Sequence, residues 1–136
     1  MNELLEKLAT MEREVAVEKG EFRLFALFLR EDSPDKWDLL VSAPWLDENE
    51  SAGIDYLAKQ VQSRLDPQEL ISLSRLVFIG TDNPGLMAIL RAVHIQHSIL
   101  EVVDNVFFGL KIKHAYIITS DLAKIANQQA PLPAQA

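Results

Sequence analysis

Two long apolar runs near the amino end dominate the hydrophobic pattern of this chain. Residues 22–30 have the sequence FRLFALFLR, in which both alternating sets of side chains are mainly apolar. This pattern is typical of a strand that is covered on both faces. Residues 37–43 form a second apolar run, and the short polar loop between the two runs contains Ser-Pro-Asp. The two runs therefore predict an antiparallel hairpin within a central sheet.

Apolar residues at helical spacing predict the helices of the first half of the chain. Residues 2–18 show this spacing and are followed by Gly20, a favourable helix end. Residues 51–65 repeat the pattern after an acidic loop. The sequence DPQE at 66–69 combines a cap, a proline suited to the first helical position and a glutamate that can return to the cap. It predicts a short third helix.

The pattern after residue 75 predicts a strand and then a long helix. Residues 75–80 are apolar, β-branched and aromatic, and they end in glycine, which favours a buried strand. A helix is predicted from a cap at Asp82 or Asn83 to about residue 104. Its polar side chains recur every three or four positions, so one stripe should be wet and the rest of the helix covered. The stripe consists of Arg91, His94, Ser98, Glu101 and Asn105.

The last third of the chain predicts one more strand and one short helix. Residues 106–108 are compatible with a short strand or with a packed connection. Residues 111–119 predict a strand, and Ser120 is expected to cap the final helix. Residues 127–136 are predicted to be a disordered tail. One face of the strand is expected to carry Ile112, His114, Tyr116 and Ile118.

The resulting order, α-β-β-α-β-α-β-α, predicts an α/β fold, with α+β as the alternative. Helices between strands favour parallel crossovers, whereas the first two strands should be antiparallel. We therefore expect residues 1–126 to form a single globular domain. Its core should be a mixed, twisted sheet of about four strands with helices on both faces.

Charge and composition narrow the classes of partner. The chain of 136 residues has a net charge of −7 and no cysteine. An acidic protein repels phosphate backbones, so neither nucleic acid nor an anionic membrane is expected as a partner. Neither a signal peptide nor an apolar run of membrane-spanning length is found, and we expect a cytoplasmic protein. The acidic residues concentrate between positions 31 and 55, which indicates either solvated surface or a charged subunit contact.

The strand ends provide a candidate ligand site. If the second, third and last predicted strands run parallel, their carboxyl ends meet at one edge of the sheet, where open α/β sheets bind ligands. Helix capping is the favoured explanation of Asn83 and Ser120, and a core position is the favoured explanation of Trp45. The candidate ligand-binding residues are Ser42, Trp45, Thr81, Asp82, Asn83 and Asp121.

Two groups of residues are candidates for a metal-dependent site. His94, His97 and Glu101 would lie near one face of the predicted long helix and could ligate a metal, although His-x-x-His alone is a weak signal. His114 is better explained as a core histidine. Asp38 on the second strand is reminiscent of a carboxylate nuclease centre, but no later strand carries the acid-x-lysine pattern that such a centre needs.

No catalytic motif outweighs its structural explanation, so the favoured function is binding. We expect a small intracellular, non-enzymatic interaction protein without a cofactor, which is a homo-oligomer or binds a protein partner. The alternative is a small-molecule-binding or hydrolase-like domain with a polar pocket at the carboxyl ends of the strands.

Overall fold

A five-stranded mixed sheet forms the centre of an α+β fold. The computed structural model describes residues 2–33 and 35–124. The strands are β1 (Leu24–Arg30), β2 (Trp37–Ser42), β3 (Leu73–Phe78), β4 (Leu100–Phe107) and β5 (Leu110–Ser120). The helices are α1 (Asn2–Lys19), α2 (Pro44–Glu48), α3 (Glu50–Arg64), α4 (Pro67–Ser72) and α5 (Pro84–Ala92). The strand order is β3-β2-β1-β5-β4.

The predicted hairpin is confirmed and lies in the middle of the sheet. β1 pairs antiparallel with β2, with Phe25 opposite Val41, and antiparallel with β5 on its other side. β3 pairs parallel with β2. Consequently β2, β3 and β5 all run in the same direction, and their carboxyl ends lie at one edge of the sheet. Both edges of β1 are paired and its central residues are buried, which explains why both alternating sets in its sequence are apolar.

The two faces of the sheet carry different numbers of helices. On one side, which we call the helix-rich face, α1 to α4 contribute side chains to a core around Phe25 and Leu39. On the other side, the α5 face, Leu86, Ile89 and Leu90 of α5 pack on strand residues such as Phe28. The expectation of helices on both faces is therefore confirmed. The capping box at 66–69 is also confirmed, since Asp66 accepts from Glu69 N at 2.8 Å.

The prediction of a helix to about residue 104 is wrong. α5 ends at Ala92, and residues 100–107 form β4, so the sheet has five strands instead of about four. β4 pairs antiparallel with β5, and this tertiary pairing overrides the helical spacing of polar residues. Residues 99–106 include one isoleucine and three valines, which favour a strand. The segment is also largely exposed, whereas the predicted helix was expected to be covered.

The prediction that Ile112 shares one face of the last strand with Tyr116 and Ile118 is wrong, because the pairing of β5 with β1 is irregular. Leu29 lies opposite His114 and Arg30 lies opposite Ile112, so Lys113 is an extra residue in the ladder. One extra residue reverses the alternation of side chains beyond it. Ile112 therefore packs in the core of the α5 face, whereas Tyr116 and Ile118 pack on the helix-rich face.

The turns around β5 also differ from expectation. Ser120 is not a helix cap: it is buried at the end of β5, and its hydroxyl donates to Val93 O at 2.8 Å. Asp121 Oδ1 accepts from Ala123 N at 3.0 Å in the turn that follows β5, and most of the predicted final helix lies outside the described residues. Of the residues left open, Val106 and Phe107 belong to β4. The predicted tail at 127–136 lies outside the described residues. Within the described part, no helix has the length and apolarity to cross a bilayer.

Candidate functional site

The predicted ligand residues follow three different strands and do not converge. Thr81 and Asp82 are exposed after β3, and Asn83 caps α5 by accepting from Gly85 N at 2.8 Å. Asp121 follows β5, and β2 and β1 lie between these two strands. Three strand spacings correspond to about 14 Å, which is too far for direct cooperation of Asp82 and Asp121.

Ser42 and Asp121 instead meet at a buried arginine. Arg23, just before β1, is fully buried, and its Nη1 donates to Ser42 Oγ at 3.0 Å. Its guanidinium also forms an ion pair with Asp47 of α2. Its carbonyl oxygen accepts from Asp121 N at 2.8 Å. Arg23 therefore ties the ends of β2 and β5 to the α2 segment, a structural role that sequence reasoning missed although Arg23 is a charged residue within an apolar run.

Trp45 has the ordinary environment of a partly buried tryptophan. Its indole Nε1 donates to Gly20 O at 3.0 Å, and its ring meets Phe22 edge to face at 5.7 Å. Trp37 lies in the core of the helix-rich face. Both side chains thus have structural partners.

The three residues considered as metal ligands are also separated. His94 is exposed after α5, whereas Glu101 lies on β4 and faces His114 Nε2 at 2.6 Å. His97 turns towards α1 instead. Among residues 2–33 and 35–124, no group of three or more histidine, cysteine or acidic side chains has a geometry that could hold a metal ion.

His97 joins two carboxylates at the centre of a polar cluster. Its Nδ1 lies 2.7 Å from Oε1 of Glu12, which is fully buried on α1, and its Nε2 lies 2.9 Å from Glu21 Oε1. Thr119 Oγ1 donates to Glu12 Oε2 at 2.7 Å and accepts from His97 N at 3.1 Å. The ring therefore bridges the buried carboxylate of Glu12 and the more exposed carboxylate of Glu21.

The same cluster lacks the geometry of a nucleophile and its base. The hydroxyl proton of Thr119 points to Glu12 and not to the ring, so His97 is not placed to remove it. His97 has a φ of 52°, a conformation that is uncommon outside glycine. The contacts to Glu12, Glu21 and Thr119 explain how this backbone conformation is held. We interpret the cluster as the anchor of the α5–β4 connection on α1 and β5.

The exposed apolar side chains concentrate on the β4–β5 hairpin. Among the described residues, seven large apolar residues are exposed, and five of them lie between positions 99 and 110. Single exposed apolar residues are common on protein surfaces, but a cluster of them usually marks an interaction site. We call these five the hairpin patch: Ile99, Leu100, Val103, Val106 and Leu110.

The most exposed residues of the hairpin patch are two valines, which lie on the helix-rich face of the sheet. Val102 and Phe107 pack in the core of the α5 face, so their neighbours Val103 and Val106 point to the other face. These two valines are 57 % and 60 % exposed. Val103 lies opposite His114, whose ring is 4.7 Å from that of Tyr116. Burial raises the pKa of Tyr116, so this phenol is neutral at ordinary pH and adds to the apolar surface.

The outer edge of β4 is unpaired within the described part of the chain. Asp104 has a φ of 50° and is not paired with Lys113, although the pairing on either side of these two residues stays in register. An irregular residue of this kind interrupts the flat edge that another strand would need for continuous pairing. A partner at this edge would therefore contact mainly side chains. The signal in the sequence was the β-branched composition of 99–106, which the helical spacing of polar residues concealed.

Comparisons with family models, with curated proteins and with solved structures found no match for this chain.

Proposed function

We propose that this protein is a non-enzymatic binding protein that associates with another protein chain through the hairpin patch. The observation that carries the proposal is the concentration of five of the seven exposed large apolar residues in a stretch of twelve positions, 99–110. The partner is a second copy of this chain or a different protein. The arrangement of the His97 cluster favours binding over catalysis, since its hydroxyl and its ring are not paired for proton transfer.

Burial of the patch would supply a useful driving force. Covering a half-exposed valine contributes about 1 kcal/mol, so five such residues contribute several kcal/mol before the costs of association. A patch of five side chains is small, so we expect an interface at the lower end of the size range of specific protein contacts and not one as large as that of an obligate dimer. The charged residues of β4 are both acidic, Glu101 and Asp104. Glu101 is already paired with His114, which leaves Asp104 at the rim.

Sedimentation velocity over a wide range of protein concentration tests the form of the proposal that involves a second copy. We expect a concentration-dependent dimer that disappears in Val103→Glu/Val106→Glu, because two carboxylates would have to be desolvated at the contact. Val17→Glu is the matched control, since Val17 is 89 % exposed on α1 and lies outside the patch. It should dimerise like the unsubstituted chain.

Equal loss of the dimer in the control variant would contradict the patch as the contact surface. A monomer at every concentration would exclude the second copy and leave a different protein as the partner. In that case a contact between position 103 and a different protein in the cell would support the proposal, and the absence of such a contact would contradict it.

A further inference from the structure

The α5 face has an apolar pocket next to the amino-terminal end of α5. With nine residues, α5 is about 14 Å long, whereas the eleven residues of β5 span about 36 Å. The uncovered part of the face contains a cavity of about 120 Å³. Its floor comes from four strands, and its wall is formed by the β4–β5 turn. The floor residues are Phe28, Leu40, Val77 and Ile112, and the wall residues are Phe108 and Leu110.

The pocket has a charged end, which is formed by two arginines and two aspartates. Asp38, which is only 4 % exposed, accepts from Arg75 Nη2 at 2.8 Å and Nε at 3.2 Å, and it pairs with Arg30 Nε at 3.2 Å. Two guanidinium groups thus surround one buried carboxylate. Asp32 lies 3.6 Å from Arg30 Nη1, and its side chain is 71 % exposed, so it balances the second arginine from the solvent side, where its charge is partly screened.

Arg75 is the side chain best placed to meet a ligand. It lines the pocket, and its side chain is 52 % exposed. Its bonds to Asp38 use Nε and Nη2, and Nη1 has no hydrogen-bond partner among the described residues. The hydrogen bond to Asp38 raises the pKa of Arg75, so the group stays charged at any working pH. A planar guanidinium with a free edge binds carboxylates in a defined orientation.

The aromatic wall is fixed in place by tight packing. Phe108 has a φ of 56° and its ring lies 6.1 Å from that of Phe28. A Cβ on Gly85, in the first turn of α5, would lie 2.3 Å from Cδ1 of Phe108. Only glycine permits this approach, so the first turn of α5 holds the Phe108 ring against the pocket. A preorganised wall lowers the entropic cost of binding.

We propose that this pocket binds a small carboxylic acid with an aromatic or branched aliphatic body. The body would lie on Leu40 and Val77, and the carboxylate would accept from Nη1 of Arg75. The cavity of about 120 Å³ is somewhat smaller than the apolar cavities of about 150 Å³ that take up benzene, so part of the body and the carboxylate would lie at its open mouth beside Arg75. The Nη1 group of Arg75, which the bonds to Asp38 do not use, selects an acid over a neutral compound of the same shape. This site lies on the opposite face from Val103 and Val106 and shares Leu110 with the hairpin patch. The residues that would contact the ligand body and its carboxylate, Leu40, Val77 and Arg75, lie outside the patch, so the test of this site is separate from the test of association.

Benzoate and benzyl alcohol are suitable probes, since they share a ring and differ in charge. Titration of the ¹⁵N-labelled protein with each probe should shift amide resonances of residues around Leu40, Val77 and Phe108. Benzoate should bind roughly tenfold more tightly than benzyl alcohol, as expected for one charge-assisted hydrogen bond. Failure of benzoate to shift these resonances would overturn the proposal. Equal affinity of the two probes would overturn the role of Arg75.

Two substitutions and one control distinguish the contribution of the Arg75 charge to binding from that of the apolar cavity. Arg75→Gln should remove the preference for benzoate while benzyl alcohol binds as before, and Arg64→Gln, which alters an arginine on α3, should leave both affinities unchanged. Val77→Phe should abolish binding of both probes by filling the cavity. Unchanged benzoate binding in Arg75→Gln, or in a folded Val77→Phe variant, would contradict the site. The comparison of the two probes on the unsubstituted protein holds even if a variant fails to fold.

Discussion

On the helix-rich face four helices contribute to the core, whereas on the α5 face one helix of nine residues packs on the same sheet. The helix-rich face thus contains the larger of the two buried cores, and the α5 face and the β4 hairpin retain uncovered apolar surface. Local stability is not uniform in proteins, and binding surfaces are drawn from the less covered parts. The difference between these regions locates both proposed binding sites outside the main core.

The largest expected difference is between truncations in the two regions. Leu57→Ala removes a fully buried side chain from the helix-rich core and should lower the free energy of unfolding by about 3 kcal/mol. Leu110→Ala removes a half-exposed side chain and should cost less than about 1 kcal/mol. Urea denaturation of both variants measures the two values. Similar costs would mean that the hairpin belongs to the core as much as α3 does.

A smaller effect is expected at the polar cluster that joins the α5–β4 connection to α1. His97→Ala leaves the buried Glu12 with Thr119 as its only partner in the cluster, and should cost about 2 kcal/mol. Glu12→Gln combined with His97→Ala should recover part of this loss, because the amide carries no charge. A double-mutant cycle on the free energy of unfolding measures the coupling, and additive losses would show that the two side chains do not interact.

The smallest effect concerns alkaline pH. Burial and the hydrogen bond to Glu18 raise the pKa of Tyr56 from 10.0 to about 12. Between about pH 10 and pH 12 the unfolded chain has lost this proton and the folded chain keeps it, so stability falls as the pH rises through this window. Tyr56→Phe should make the decline of stability less steep. An identical pH dependence in the variant would contradict a raised pKa for Tyr56.

The sequence contained enough information for the central hairpin, because β1 is apolar on both sides and a turn with a proline joins it to a second apolar run. It predicted the helix boundaries near Asp66 from the capping box. It failed at β4, since the polar residues from Arg91 to Asn105 have helical spacing by coincidence and the pairing with β5 is a long-range contact. The valines of that segment were the opposing signal.

The candidate sites were harder to predict than the fold. Asp38, Arg30 and Arg75 come from three strands, and only the strand order brings them together. Glu12 lies on α1 and reaches Thr119, which is 107 positions further along the chain. Helical periodicity cannot distinguish such a buried glutamate from a solvated one. Surface exposure at Val103 and Val106 depends on the edge position of β4, which the sequence does not encode locally.

Site-specific photo-crosslinking in cells that express this protein tests the binding role of the hairpin patch most directly. A photoreactive residue at position 103 should give a discrete crosslinked species, either with a second copy or with one other protein, and the same residue at position 17 should give none. Equal labelling from both positions, or no protein adduct from position 103, would contradict the claim that the hairpin patch is a binding surface.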